Sequence, residues 1–180
     1  KNTLTGVKYK DDPTIFAWEL ANEPRVRTDP TCNILNNWIG EMSAYIKSID
    51  SNHIVTTGSD GGYKNKTSNP PWSWWYHCNE GQDYIPNHQW ADIDFATFRY
   101  FPEPGKFDNV NVTKWIQEHI EEAHNVIGKP VVWLEFGSKT NKAARFSQYY
   151  NTTEKEGIDG DIFWMLSDNN FYGNNDGYFV

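Results

Sequence analysis

A chain of 180 residues is long enough for one domain with a substantial core, yet short of the roughly 250 residues of a complete (β/α)8 barrel. Its formal net charge of −8 argues against a nucleic-acid partner, which would need Lys and Arg to neutralise phosphates, and suits a neutral or acid-tolerant substrate. No apolar run approaches the roughly 20 residues needed to cross a bilayer, so no membrane partner is expected.

In chain order, Asp11-Asp12-Pro13 is a turn signal before a short apolar run, Thr14 to Leu20, read as a first strand. Trp38, Ile39, Met42, Tyr45, Ile46 and Ile49 recur at helical spacing and predict an amphipathic helix facing a sheet. His53 to Thr57, closed by Gly58, predicts a second strand. From Asp60 to Asp92 the punctuation by Gly, Pro, Ser and Asn predicts a long functional loop carrying Trp72, Trp74, Trp75, Tyr76 and Trp90. The three clustered tryptophans serve either as a sugar platform or as the packing that holds this loop together.

Phe95 to Phe98 predicts a third strand, and Val112, Trp115, Ile116, His119, Ile120, Ala123 and Ile127 a second helix stopped by Gly128-Lys129-Pro130. Glu118, Glu121 and Glu122 read as its solvated face. Val131 to Leu134 is a fourth, buried strand; a weaker helix over Ala143 to Lys155 follows, and Ile162 to Met165 is the last strand. Strands alternating with helices every 30–40 residues or so imply βα units and a parallel sheet. The expected architecture is an incomplete (β/α)8 TIM barrel carrying about strands 4 to 8. Residues 1–180 then form the C-terminal part of a single catalytic barrel, with three strands expected upstream.

Two glutamates stand where buried strands run out into loops: Glu23 in Trp18-Glu19-Leu20-Ala21-Asn22-Glu23-Pro24-Arg25, and Glu135 in Val131-Val132-Trp133-Leu134-Glu135-Phe136-Gly137. A charge drawn toward a core needs partners, and strand C-terminal ends of a barrel point into its mouth, so the two carboxylates are expected to converge there. Paired carboxylates are the apparatus of glycoside hydrolysis. The 16% aromatic content, with nine Trp, fits surfaces that stack on sugar rings. His53, His77, His88, His119 and His124 show no ligand spacing, and no metal or cofactor is expected. Cys32 and Cys78 form either a disulfide or two free thiols. Sequons at Asn65, Asn111 and Asn151 are compatible with a secreted, extracellular glycoprotein.

The ordered motifs give a more specific expectation. Tyr9-Lys10-Asp11-Asp12-Pro13-Thr14-Ile15, Trp18 to Arg25, Met42 to Asp50, Asp94-Phe95-Ala96-Thr97-Phe98, Trp133 to Gly137 and Phe163-Trp164 together resemble glycoside hydrolase family 5, and within it the endo-β-1,4-mannanases of fungal and plant type. The resemblance implies a retaining double displacement on mannan, glucomannan or galactomannan by a monomer, with Glu23 as acid/base and Glu135 as nucleophile. By the same resemblance Asn22 donates to the sugar 2-hydroxyl, Trp164 is the floor at the cleavage point, and Arg25 holds sugars on the leaving-group side. Trp18 and Trp133 are expected in the barrel interior or under helices.

Where the family pattern reads Phe-His-x-Tyr-Pro, this chain has Phe98-Arg99-Tyr100-Phe101-Pro102, which places Arg99 and Phe101 at two substrate-facing positions. Losing the tyrosine hydroxyl tends to raise the pKa of Glu135, and a nearby Arg99 opposes that. Tyr100 cannot take over unless a bulge slips the register. The alternatives are an endo-β-1,4-glucanase of the same family, or a catalytically impaired carbohydrate-binding remnant motivated by Arg99 and Phe101.

Overall fold

The computed structural model describes residues 1–66, 77–102, 111–166, 176–178 and 180. Trp72, Trp74, Trp75 and Tyr76 lie outside these residues. The strands are β1 (Ala17–Glu19), β2 (Ile54–Thr56), β3 (Ala96–Tyr100), β4 (Val131–Phe136) and β5 (Gly160–Phe163), the last starting two residues before the expected Ile162 and ending before Trp164. Between them lie α1 (Asn33–Ile49), a short α2 (Tyr84–His88), α3 (Val112–Glu122) and α4 (Lys142–Glu156). A π-helical turn, Ala123–Ile127, extends α3.

All pairings are parallel: β1 with β2, and β4 between β3 and β5. The two sets are joined by loop and side-chain bonds. Asp94 N donates to Val55 O at 2.8 Å, Asp94 Oδ2 accepts from Val55 N at 2.7 Å, and Thr56 Oγ1 donates to Phe95 O at 2.9 Å. The five strands therefore stand side by side in chain order, and their C-terminal ends all open on one face.

The helices pack along one side of the sheet. From α1, Leu35 and Ile39 pack with Val55 and Ile93, with Trp18 partly buried alongside. On α3, Val112, Trp115, Ile116 and Ile120 join Phe98, Trp133 and Phe136 in the larger core. Asn111 caps α3 by accepting from Lys114 N, and Gly128, at φ 75°, ends the helical run in the left-handed conformation that a side chain would disfavour.

Two histidines belong to this core. His119 bonds Trp115 O at 2.7 Å and Gly61 O at 2.8 Å, while His88 bonds Tyr84 O at 2.7 Å and Thr57 Oγ1 at 2.8 Å. Burial disfavours their charged forms and pulls the pKa of His119 to about 3 and that of His88 to about 4. Both are structural groups, and a neutral His119, with one ring N–H, donates to only one of its two carbonyl neighbours.

Two expectations change here, and one left open is decided. The segment after Asp60 is not all loop: Ser59 to Tyr63 is buried, and α2 forms despite Pro86 because a proline in the first turn has no intrahelical N–H to lose. Glu118 and Glu122 are not a solvated face, since Lys66 Nζ lies 3.3 Å from Glu118 and 2.6 Å from Glu122, and the Tyr63 hydroxyl donates to Glu122 at 2.8 Å. The cysteines are bonded to each other, Cys32 to Cys78 across 46 residues. Loop-closure entropy gives such a bond about 4 kcal/mol of stabilisation.

Candidate active site

The C-terminal ends of β1, β3 and β4 bring a set of charged side chains together. Beyond β1 the chain stays beside β2, with Leu20 N donating to Thr56 O at 3.0 Å and Glu23 N to Gly58 O at 3.1 Å. The approach is so close that a Cβ on Gly58 would collide with Ala21 O and Glu19 Oε1. Only glycine fits there. Glu23 itself has φ 49°, a left-handed conformation that costs a non-glycine residue about 1 kcal/mol or more.

Across the cleft, β3 and β4 run in register up to Phe98 opposite Trp133, then slip so that Arg99 faces Glu135. The bulge skips Leu134 and sets the guanidinium directly beside the carboxylate. Tyr100 does not take over, because it points to the helices, buried edge-on against Tyr149 with ring centroids 6.1 Å apart.

Arg99 is the hub, with its side chain only 3% exposed. Its Nη1 lies 2.6 Å from Glu135 Oε1, 2.7 Å from Asn22 Oδ1 and 3.6 Å from Glu23 Oε1, while its Nη2 lies 2.7 Å from Glu19 Oε1. Because Asn22 spends its carbonyl oxygen on Arg99, the amide presents its NH2 group as a donor. Arg25 is a second hub: Nη2 lies 2.8 Å from Glu23 Oε2 and 2.8 Å from Asp60 Oδ2, and Nε is 3.7 Å from Glu80 Oε2. Glu80 is held in turn by Arg27 at 2.7 Å.

Burial dominates the electrostatics. It raises the pKa of Glu135; Arg99 opposes that, and the neighbouring Glu23 and Glu19 add to it. Burial likewise raises Glu19 against the pull of Arg99. Asp60 is pushed up to about 7, first by burial and then by Glu23, with Arg25 working the other way. The net direction at Glu135 is therefore upward even with a guanidinium in contact.

Glu23, Glu135, Asn22, Arg25 and Arg99 thus meet in one cluster. Phe101 sits half-buried against the Tyr178 ring, centroids 5.0 Å apart, and adds no polar group to it. Trp164 follows β5, its N–H donating to Phe136 O at 2.8 Å, one residue beyond Glu135. The residue is 38% exposed, and its indole N–H donates to Asp176 Oδ2 at 2.8 Å. Three members went unremarked in the sequence: Glu19, Asp60 and Glu80. Glu19 had a visible signal, a charge inside an apolar run, and Asp60 had its place just past a strand amid Gly58, Gly61 and Gly62; Glu80 had none. Among the described residues, no group of three or more His, Cys, Asp or Glu is arranged to hold a metal ion. A separate cleft of about 490 Å³, lined by Asp12, Phe16, His53 and Ile54 among others, lies at the opposite ends of β1 and β2.

Residues 1–176 match the family model described as GH family 5 beta-mannosidase-like. The chain belongs to glycoside hydrolase family 5. Relatives include mannan endo-1,4-beta-mannosidase 7 of Arabidopsis thaliana, 38% identical over 98% of this chain and 45% of its own length. Mannan endo-1,4-beta-mannosidase 2 of rice, Oryza sativa subsp. japonica, is 43% identical over 76% of this chain and 33% of its own. The endo-1,4-beta-mannanase of Rhizomucor miehei superposes with a TM-score of 0.85 at 36% identity, over 99% of this chain and 52% of that one. The chain spans about half the length of the curated relatives it matches. Its five parallel strands are part of a family 5 (β/α)8 barrel.

Proposed function

We propose that residues 1–180 are the C-terminal part of a secreted endo-β-1,4-mannanase that cleaves internal β-1,4-mannosidic bonds by a retaining double displacement. Glu23 protonates the departing glycosidic oxygen while a Glu135 oxygen bonds to the anomeric carbon. Water then attacks that carbon, giving its proton to Glu23 and releasing Glu135. Asn22 donates through its NH2 group to the sugar 2-hydroxyl, Trp164 stacks beneath the sugar, Arg25 holds the leaving-group side, and Arg99 and Phe101 line the floor. The substrate is mannan, glucomannan or galactomannan. Secretion is supported by the Cys32–Cys78 bond, which suits an oxidising compartment.

One observation carries this reading. Arg99 Nη1 touches both carboxylates, at 2.6 Å from Glu135 Oε1 and 3.6 Å from Glu23 Oε1, so these oxygens lie within about 6 Å of each other. That bound admits the roughly 5–5.5 Å separation of a retaining pair. The relatives' names point to mannan as the polymer.

The same distances favour a second reading. A guanidinium between the two carboxylates stands where the acetal must enter, as in a carbohydrate-binding protein of impaired turnover. A reducing-end assay on mannan, galactomannan and cellulose separates the outcomes. Turnover on mannan that disappears in Glu135→Ala and falls about 10²–10⁴-fold in Glu23→Gln supports the hydrolase; full activity in Glu135→Ala refutes the nucleophile. Binding without turnover, with turnover gained in Arg99→His, favours the second reading.

A further inference from the structure

Glu23 is surrounded by positive charge. Arg25 Nη2 lies 2.8 Å from one of its oxygens and Arg99 Nη1 lies 3.6 Å from the other. Arg25 carries two further carboxylates, Glu80, 3.7 Å from Nε, and Asp60. Asp60 Oδ2 accepts from Arg25 Nε at 2.9 Å and lies 2.8 Å from Nη2.

We propose that Asp60 is a positioning residue for Glu23: it anchors Arg25 against the acid/base and sets a second, interacting acid beside it. This rests on the reading of Glu23 given above. The two carboxylates share Arg25 Nη2, so their oxygens stand within about 6 Å and repel each other through the low-dielectric site. Asp60 is 4% exposed, and its Oδ1 is buried without a hydrogen-bond partner among the described residues.

The charged and polar groups facing Asp60 are known from each side. Arg25 and Glu23 come from the segment after β1, Arg99 from β3, and Glu80, across Arg25, from the segment after Cys78. From that last segment Gln82 Nε2 also donates to Oδ2 at 3.3 Å. Burial and Glu23 together push Asp60 up to about 7, with Arg25 and Arg99 pulling the other way. Asp60 touches no substrate in this scheme and acts on Glu23 by charge and by fixing Arg25.

Two measurements test the proposal, and the first needs no activity. In a carboxyl ¹³C titration, Asp60 has its midpoint near 7 in the wild-type chain and moves to lower pH in Glu23→Gln; an unmoved midpoint overturns the electrostatic link. In mannan hydrolysis, Asp60→Asn moves the basic limb of the kcat/KM profile to lower pH by about one pH unit with KM little changed, and Asp60→Glu restores it. A basic limb that stays in place in Asp60→Asn overturns the role. Failure of the underlying reading shows separately, as undiminished turnover in Glu23→Gln.

Discussion

Two arginines organise the cleft, and they differ in how firmly they are held. Arg99 projects from the C-terminal end of β3, and its guanidinium is enclosed by Glu135, Asn22 and Glu19. Arg25 sits in a loop just past β1, its side chain 26% exposed, with Glu23, Asp60 and Glu80 around it. A charge on a rigid strand in a dry setting interacts strongly and is costly to unpair, whereas one at a wet rim is screened and replaceable. The floor arginine is therefore part of the fold as much as of the site, and the rim arginine belongs chiefly to the site.

Removing each cation in turn tests that contrast. Arg99→Met leaves Glu19 and Glu135 facing a site without its cation, and we expect it to lower the unfolding free energy by about 3 kcal/mol, measured by urea denaturation at pH 7. A loss below 1 kcal/mol would place Arg99 with the rim group. Arg25→Met costs less, about 1 kcal/mol in the same measurement, and shows itself instead as a raised KM for mannan-type substrates. A large stability loss with unchanged KM would reverse the assignment.

A third effect is expected on pH dependence. Asp60, raised to about 7 from an ordinary 3.8, contributes stability that is fully present below about pH 4 and is lost as pH rises through 7. Asp50 behaves oppositely. Lowered to about 2 by bonds from Trp18 and His53 that outweigh its burial, it contributes stability above about pH 4 that is lost as pH falls through 2. Unfolding midpoints taken from pH 4 to 8 should therefore decline less steeply in Asp60→Asn than in wild type; parallel curves would remove Asp60 from the balance.

The parts of this molecule that depend on local pattern were legible before any coordinates. The α3 stripe of Trp115, Ile116, His119 and Ile120 is buried as its spacing requires, and the apolar runs at Val131 and Ile54 became β4 and β2 within a residue or two. Glu23 and Glu135 stood out because each interrupts apolar sequence at a strand end. What escaped depends on partners distant in the chain. Asp60 joins the site only because β2 ends beside β1, and Lys66 reaches α3 from 56 residues away to draw in Glu122. The bulge at Phe98 and Arg99 is a relation between two strands, invisible in either alone. The cysteine pairing was open for the same reason, since it depends on two loops meeting.

The left-handed backbone at Glu23 has a geometric consequence. In a pleated strand, successive side chains leave on opposite faces, so Asn22 and Glu23 could not both serve one centre. Here Asn22 Oδ1 and Glu23 Oε1 both reach Arg99 Nη1, at 2.7 and 3.6 Å. The inverted φ at Glu23 turns the chain out of the pleat at that one residue. Two neighbours in sequence thereby become neighbours in space around a single nitrogen, and the torsional cost at Glu23 is what makes the pair usable together.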